Sequence, residues 1–316
     1  MYSSLANQTV IHYFIIKGIT DLPELQPLVF LLVLLIYLII LGGNLTILLL
    51  VFLDSQLKTP MYFFLGNLSI VDISAATVTL HKVLISYVSG DNTASFISCM
   101  AQVYFFASFT GHELLLLTVM GYDRYVAICK PLYYPMIMSP RICNTLAIFC
   151  WVWGFLQVVP PVSILGRFTC YLSNELNHFF CDMVPLMKLS CSDTSVLMML
   201  NLTEGLFVST IIPFLLTFIS YVLIITTIMK IQTTTGRWKA FYTCSSHLSV
   251  VIFLYVILTC QYLVPTSNTN IDFTKHFSLF NTMAVPMLNP LIYSLKNKGV
   301  KTALKHRLWR TLAEYE

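Results

Sequence analysis

Residues 26–53 read QPLVFLLVLLIYLIILGGNLTILLLVFL, a run that contains no charged side chain. About 20 consecutive apolar residues are enough for a helix to cross the hydrocarbon core of a bilayer, so this run predicts a transmembrane helix. Six more stretches of similar length and apolar character follow along the chain, at 59–86, 95–129, 141–164, 197–230, 237–263 and 271–294. Pro286 and Pro290 interrupt the last of them, which the interior of a helix bundle tolerates. The sequence therefore predicts an all-α membrane protein, a bundle of seven transmembrane helices.

The composition agrees with this reading. Hydrophobic residues make up 57% of the 316 residues, charged residues make up 10%, and the mean hydropathy is +0.78. Soluble domains carry about 25% charged residues, so the chain lies outside that class. We expect an extracellular N-terminal segment at 1–25, the seven-helix domain at 26–294, and a cytoplasmic amphipathic helix and tail at 295–316.

The distribution of basic residues predicts the orientation. With the N terminus outside, thirteen of the 18 lysines and arginines face the cytoplasm and five face outward. Cytoplasmic loops are the ones that carry such an excess, so we expect an extracellular N terminus and a cytoplasmic C terminus. Asn7 then begins an extracellular Asn-Gln-Thr sequon and is an expected glycosylation site. The basic, partly apolar tail is expected to lie on the anionic lipid of the inner leaflet.

The cysteines fit the same topology. Cys99, Cys170, Cys181 and Cys191 fall on the outer, oxidising side. Four cysteines allow three pairings, and the sequence by itself does not choose among them.

Several short motifs recur in order along the spans. They are Gly43-Asn44 in the first span, Pro60-Met61-Tyr62-Phe63-Phe64-Leu65 opening the second, Met120-Gly121-Tyr122-Asp123-Arg124-Tyr125-Val126-Ala127-Ile128-Cys129 closing the third, Ser220-Tyr221 in the fifth, Lys239-Ala240-Phe241-Tyr242-Thr243-Cys244-Ser245-Ser246-His247-Leu248 opening the sixth, and Pro286-Met287-Leu288-Asn289-Pro290-Leu291-Ile292-Tyr293-Ser294 closing the seventh. From about residue 11 to residue 300, the chain resembles the odorant receptors, in the tetrapod-type (class II) branch, of the rhodopsin-like (class A) G-protein-coupled receptors. The Asp-Arg-Tyr and Asn-Pro-x-x-Tyr motifs mark the superfamily, and the longer strings mark the odorant receptors.

The resemblance implies a plasma-membrane receptor that binds a small, largely apolar odorant and activates an olfactory Gs-type heterotrimeric G protein to raise cyclic AMP. It implies no enzymatic activity and no nucleic-acid partner. It also implies disulfides between Cys99 and Cys181 and between Cys170 and Cys191. The odorant site would lie in the outer half of the bundle. Its implied residues are Phe106, Ala107, Thr110, Gly111, Gly205, Ser209, Tyr255, Leu258, Thr259, Tyr262 and Leu279.

The resemblance also implies an activation switch at the inner side. Arg124, released from Asp123, would join Tyr221 and Tyr293 while the sixth span swings outward. The full set of implied switch residues is Asp123, Arg124, Tyr125, Tyr221, Asn289, Pro290 and Tyr293. Proline weakens a helix locally, so Pro290 suits a segment that moves.

Two acids, Asp72 and Glu113, fall deep within the predicted spans. A buried acid is costly unless it is paired, protonated or bound to a cation. The resemblance places a sodium-type site at these two positions, and we expect no other cofactor. The alternatives are a protonated carboxyl hydrogen-bonded to Asn44, Asn289 or a serine, and a proton relay in a pump.

Rival functions have less support in the sequence. A transporter or channel would need a continuous polar path, and Asp72 with Glu113 supplies one cluster. A non-olfactory class A receptor is disfavoured by the short third inner loop at 230–239. A metal site at His178 and Cys181 lacks a complete ligand set. Gly121, Tyr242 and Val256-Ile257 depart from the odorant receptor pattern, so relatives are a poor guide to this chain's ligand.

Overall fold

The computed structural model describes residues 12–263, 271–296 and 299–305. Within these ranges, seven long helical spans form the bundle. They are Gln26–Leu53, Pro60–Ser89, Phe96–Cys129, Pro140–Leu165, Ser195–Met229, Thr234–Leu263 and Ile271–Lys296. Shorter helices comprise Pro23–Leu25, Ser55–Leu57, Pro131–Tyr133, Tyr134–Ile137 and Met183–Leu189.

Five of the spans are long and apolar enough to cross a membrane, and a sixth qualifies if Thr234–Tyr242 and His247–Thr259, which meet at a bend of 43°, form one span. The seventh, Ile271–Lys296, holds two internal prolines and several charged residues. Such a helix is stable in lipid only where neighbouring helices cover its polar groups.

The fourth span is broken, which the predicted continuous helix at 141–164 did not anticipate. It consists of Pro140–Leu156 and Val159–Leu165, joined by a turn at Gln157 and Val158. Pro160 and Pro161 have no backbone N–H, so the carbonyls of Leu156 and Gln157 lose their normal helical donors. The break therefore follows from the sequence. The fifth span is also irregular, since Asn201–Ile211 is a π-helix between two α-helical parts.

The kinked seventh span is supported by the first. Pro290 cannot donate a hydrogen bond to the carbonyl of Pro286, and Asn44 Nδ2 donates to that carbonyl at 3.2 Å instead. Gly43 permits this approach, because a Cβ there would lie 3.0 Å from the Cβ and Cγ of Pro290. The motif Gly43-Asn44 thus holds the two spans together.

A small sheet covers the outer end of the bundle, in addition to the predicted all-α architecture. Strand β1, Tyr13–Ile16, pairs antiparallel with β2, Thr93–Ser95, and parallel with β3, Glu175–Leu176. Phe14 of β1 is fully buried and packs edge-on against Tyr171, with ring centroids 5.2 Å apart. Strand β1, which precedes the first span, is therefore part of a cap over this end of the bundle.

At the inner end, residues 299–305 are helical. Val300 and Ala303 are buried there against Leu50 and Leu57. The apolar side of this tail helix thus packs on the end of the first span and the loop after it. The tail's predicted contact with lipid stays a prediction, and the residues after 305 lie outside the described part of the chain.

Candidate functional site

A cluster of buried polar side chains lies between the second, third and seventh spans. Asn289 Nδ2 lies 3.1 and 3.0 Å from the two carboxylate oxygens of Asp72 and 3.1 Å from Oε1 of Glu113. Asp72 is 1% exposed and Glu113 7% exposed. The sequence offered Asn44 and Asn289 as hydrogen-bond partners of the acids. Asn289 contacts both of them, whereas Asn44 donates to the backbone carbonyls of Ile40 and Pro286.

This cluster offers more oxygens than protein donors. Asn289 Oδ1 is buried and has no hydrogen-bond partner among the described residues. The same is true of the hydroxyl of Ser69, which precedes Asp72 by three residues in the second span. Neither acid forms an ion pair within that part of the chain. Carboxylate, amide and hydroxyl oxygens are the ligands that hard cations prefer, so the residues present fit a small cation.

At the inner end of the third span, Arg124 is bound to its neighbour. Arg124 Nε and Nη2 donate to Oδ2 of Asp123 at 3.0 and 2.5 Å. The other oxygen, Oδ1, accepts a hydrogen bond from the hydroxyl of Tyr134 at 2.8 Å. Asp123 is 0% exposed, so both partners satisfy a fully buried carboxylate. Tyr134 was not predicted from the sequence, because it lies after the short helix Pro131–Tyr133 and outside the motif that closes the third span.

The other switch residues are held separately. The hydroxyl of Tyr221 lies 2.6 Å from Nδ1 of His247, and the two rings stack with centroids 5.8 Å apart. Tyr125 packs beside Lys130, whose Nζ lies 5.9 Å from the ring centroid. The side chain of Tyr293 lies outside the described part of the chain. His247 lies within the motif that opens the sixth span, and its contact with Tyr221 was not predicted from the sequence.

The residues implied for odorant binding fall into three groups. Phe106 and Leu279 pack around Phe180 of the outer loop, with the rings of Phe106 and Phe180 4.8 Å apart. Tyr255 and Leu258 of the sixth span belong to the central core, and Tyr255 packs edge-on against Phe214.

Gly111 and Ser209 form the third group, and Gln157 joins them. The hydroxyl of Ser209 donates to Oε1 of Gln157, while the amide of Gln157 lies directly against Gly111. Gln157 was missed from the sequence, although an amide in an apolar span is a usable signal.

The remaining implied residues are less engaged. Ala107 and Thr110 are half-buried, and the hydroxyl of Thr110 donates to the carbonyl of Phe106. Gly205 and Thr259 are exposed. The side chain of Tyr262, like Asn7, lies outside the described residues.

Two cavities among the described residues lie outside these groups. One of about 470 Å³ opens at the inner side and is lined by Cys129, Lys130, Pro131, Leu132, Tyr133 and Ile137. The other, of about 340 Å³, lies at the outer cap and is lined by His12, Ser95, Phe96, Ile97, Gly166, Phe168, Thr169 and Tyr171. Neither is lined by the residues implied for odorant binding.

The outer loop carries both disulfides. Cys99 is bonded to Cys181 and Cys170 to Cys191, which is the pairing that the resemblance implies. Because Cys181 is in a disulfide, it cannot serve as a metal ligand beside His178. Among the described residues, no group of three or more His, Cys, Asp or Glu side chains could hold a metal ion.

Two titratable side chains of this loop are buried. The pKa of His178 is lowered to about 3, mainly by burial; the charge of Lys275 acts in the same direction, and a hydrogen bond to the carbonyl of Phe180 opposes both. Burial raises the pKa of Asp182 to about 6, against a hydrogen bond from the N–H of Met183. His178 is therefore neutral at physiological pH.

Comparison with known proteins assigns the family. A family model described as olfactory receptor matches residues 33–311. Human olfactory receptor 2AP1 is 44% identical over 309 residues, covering 98% of this chain and 99% of the relative. Mouse olfactory receptor 8A1 is 45% identical over 305 residues, covering 96% and 98%. Human olfactory receptor 6C74 is 42% identical over 302 residues, covering 96% of each. With its helical bundle, its Asp-Arg-Tyr lock and these matches over nearly its whole length, the chain belongs to the olfactory receptor family, a family of seven-helix odorant receptors.

Proposed function

We propose that this odorant receptor recognises a small, largely apolar and uncharged odorant in the outer half of its bundle and signals through an olfactory Gs-type G protein to raise cyclic AMP. The observation that carries the proposal is the arrangement of the inner switch. Arg124 is bound by Asp123, and Tyr221 is bound by His247. Both pairs must separate before Arg124 can reach Tyr221. This arrangement is the one expected of a resting receptor.

The proposed odorant site comprises the residues named from the resemblance together with Gln157. Phe106, Tyr255 and Leu258 supply apolar surface, and Ser209 and Gln157 supply neutral polar atoms. Small-molecule sites usually combine a mostly apolar wall with a few convergent polar groups. An odorant that binds the active form more tightly would shift the population toward it.

The proposed G-protein surface is the inner mouth beside Arg124. Leu132 is 89% exposed and Met136 72% exposed, in the short helices that follow the third span. With the inner cavity they form an apolar patch next to the switch, and such patches favour protein binding. This placement requires a cytoplasmic C terminus, in agreement with the basic residues, and we propose that orientation in the plasma membrane.

We further propose that sodium stabilises the resting form at Asp72 and Glu113. The two acids share the amide nitrogen of Asn289, and Oδ1 of the same amide is buried without a hydrogen-bond partner among the described residues. A cation would supply the missing positive charge, and its loss would accompany a movement of Asn289 with the seventh span. The proton-relay alternative has less support, because the residues that follow Glu113 along the third span include the buried apolar side chains of Leu114, Leu116 and Leu117.

The test is cyclic AMP production in cells that express the receptor with an olfactory Gs-type α subunit, challenged with a panel of small volatile compounds. We expect an odorant response in the wild type that Arg124→Ala abolishes at equal surface expression. Arg141→Ala is the matched control, because Arg141 is an exposed arginine on the same side. Full signalling by Arg124→Ala would refute the switch.

The sodium site has its own test. Replacing extracellular sodium by choline should lower the odorant concentration needed for half-maximal response in the wild type. Asp72→Asn should abolish that sodium dependence. A sodium effect that survives in Asp72→Asn would remove the site from the mechanism.

A further inference from the structure

Gln157 occupies an unusual place in the fourth span. It is the first residue of the break between Pro140–Leu156 and Val159–Leu165, and its side chain is half-buried. Glutamine side chains are rare in lipid-spanning helices because an unsatisfied amide costs free energy in hydrocarbon. An amide at this depth that reaches two neighbouring spans therefore requires an explanation.

The carbonyl end of the side chain is occupied. The hydroxyl of Ser209 in the fifth span donates to Oε1, which fixes the amide between the fourth and fifth spans. The amino end points at the third span. A Cβ on Gly111 would overlap Nε2 and lie 3.1 Å from Cδ, so only glycine at 111 permits this position of the amide.

The amino end has unused donors. A glutamine amide carries two N–H groups on Nε2. Among the described residues, Gln157 forms its side-chain hydrogen bond through Oε1, and Nε2 donates none. Phe109 lies two residues before Gly111 and Phe155 two residues before Gln157, and their rings pack edge-on with centroids 5.8 Å apart. A molecule that enters between the third, fourth and fifth spans would therefore find N–H donors of Gln157 that have no partner among the described residues.

We propose that Gln157 is the polar anchor of the odorant site and selects odorants that carry a hydrogen-bond-accepting oxygen, such as aldehydes, ketones and esters. Gly111 and Ser209 act as positioning residues, the first by leaving room for the amide and the second by holding Oε1. The proposal deepens the proposed odorant site and rests on it. The apolar remainder of the odorant would pack on the aromatic rings.

The experiment compares compounds of equal chain length in the cyclic AMP assay: an n-alkanal, an n-alkyl acetate and an n-alkane, from pentyl to decyl. For the aldehyde and the ester, Gln157→Leu should raise the half-maximal concentration roughly three- to tenfold, the range of one net hydrogen bond. Any response to the alkane should change by less than about twofold. Leucine keeps the volume of the side chain and removes the amide, and surface staining of each variant controls for expression.

Gly111→Ala provides an independent test of the geometry. The added methyl should displace the amide and reproduce the loss seen with Gln157→Leu. In a Gln157→Ala background, which leaves no side chain to displace, Gly111→Ala should have no further effect. An equal effect of Gly111→Ala in both backgrounds would mean that the methyl contacts the odorant directly, and this would overturn the role of Gln157.

The outcomes separate the anchor from the proposed function. Responses to aldehydes and esters that Gln157→Leu leaves unchanged, or responses to hydrocarbons or amines alone, would overturn the anchor and leave the receptor function standing. Silence of the well-expressed wild type toward all volatile compounds, including those without oxygen, would overturn both.

Discussion

Replacing Tyr134 by phenylalanine removes one hydroxyl from the inner switch and leaves the ring in place. That hydroxyl donates to Oδ1 of Asp123 at 2.8 Å, and Asp123 is fully buried. Without this hydroxyl, Oδ2 of Asp123 still accepts hydrogen bonds from Arg124, but Oδ1 loses its partner. The change therefore weakens the resting arrangement without touching the arginine.

The expected size follows from the type of bond. A hydrogen bond to a charged group contributes about 1.5–3 kcal/mol. If the bond exists in the resting form alone, its loss raises the ratio of active to resting receptor roughly tenfold to hundredfold. A minor active state populated at about 1% would then rise to about one tenth or more of the receptors.

Basal cyclic AMP per surface receptor, without odorant, measures this shift. Tyr134→Phe should raise the basal signal and lower the odorant concentration needed for half-maximal response. Tyr133→Phe is the matched control, because Tyr133 is the adjacent tyrosine and is 59% exposed. An unchanged basal signal in Tyr134→Phe, with normal expression, would refute the view that this hydroxyl holds the receptor at rest.

Three further outcomes can be measured on detergent-solubilised receptor by thermal unfolding. Gly43→Ala should destabilise the fold by about 1–3 kcal/mol because its methyl would crowd Pro290, whereas Gly42→Ala, with no atom near the added methyl, should not; equal melting temperatures of the two would contradict the close packing. The pKa of His178 is about 3 in the fold and 6.5 in the unfolded chain, so its contribution to stability is present above pH 6.5 and is lost as pH falls. Asp182→Asn removes the opposing effect of Asp182, so the melting temperature of this variant should fall as pH is lowered from 6.5 to 4, and a melting temperature that stays constant would contradict the burial of His178. For Asp182, the pKa of about 6 lies above the unfolded 3.8, so its contribution is lost as pH rises; His178→Gln should therefore melt higher at pH 4 than at pH 6.5, and a flat profile would contradict the burial of Asp182.

The spans were predictable because lipid leaves the backbone few options. The first span, predicted at 26–53, is found as Gln26–Leu53, and the third, predicted at 95–129, as Phe96–Cys129. A long apolar segment in hydrocarbon must satisfy its own N–H and C=O groups, so it becomes a helix along nearly its entire length. The break at Gln157 had a signal in Pro160-Pro161 that the hydropathy pattern obscures.

The outer sheet was not predictable in the same way. Its strands are short, and β3 comprises only Glu175–Leu176. Strands of this length carry no alternation from which a pairing could be predicted. The sheet depends on partners far apart in the chain, which the seven-helix framework brings together.

The site was predicted in part. The resemblance identified Asp72, Glu113 and Arg124, because each belongs to a motif or is an acid within an apolar span. Tyr134 and Gln157 depend on where a single side chain reaches across the bundle. For Gln157 this position is decided by Gly111 on one neighbouring span and the hydroxyl of Ser209 on another, and for Tyr134 by the carboxylate of Asp123. Spacing along the chain does not reveal such contacts.

The outer sheet also has a consequence for how the protein is made. β1 leaves the ribosome before any span, yet its partners follow the second and fourth spans, at Thr93–Ser95 and Glu175–Leu176. Contacts between distant segments must wait until both have been synthesised. During translation the strand therefore remains unpaired until both partner segments have been synthesised, and until then Phe14 lacks its packing against Tyr171. The sheet can be completed only after the first four spans have been inserted in the correct order. Formation of the cap would therefore report that this part of the receptor has been assembled correctly.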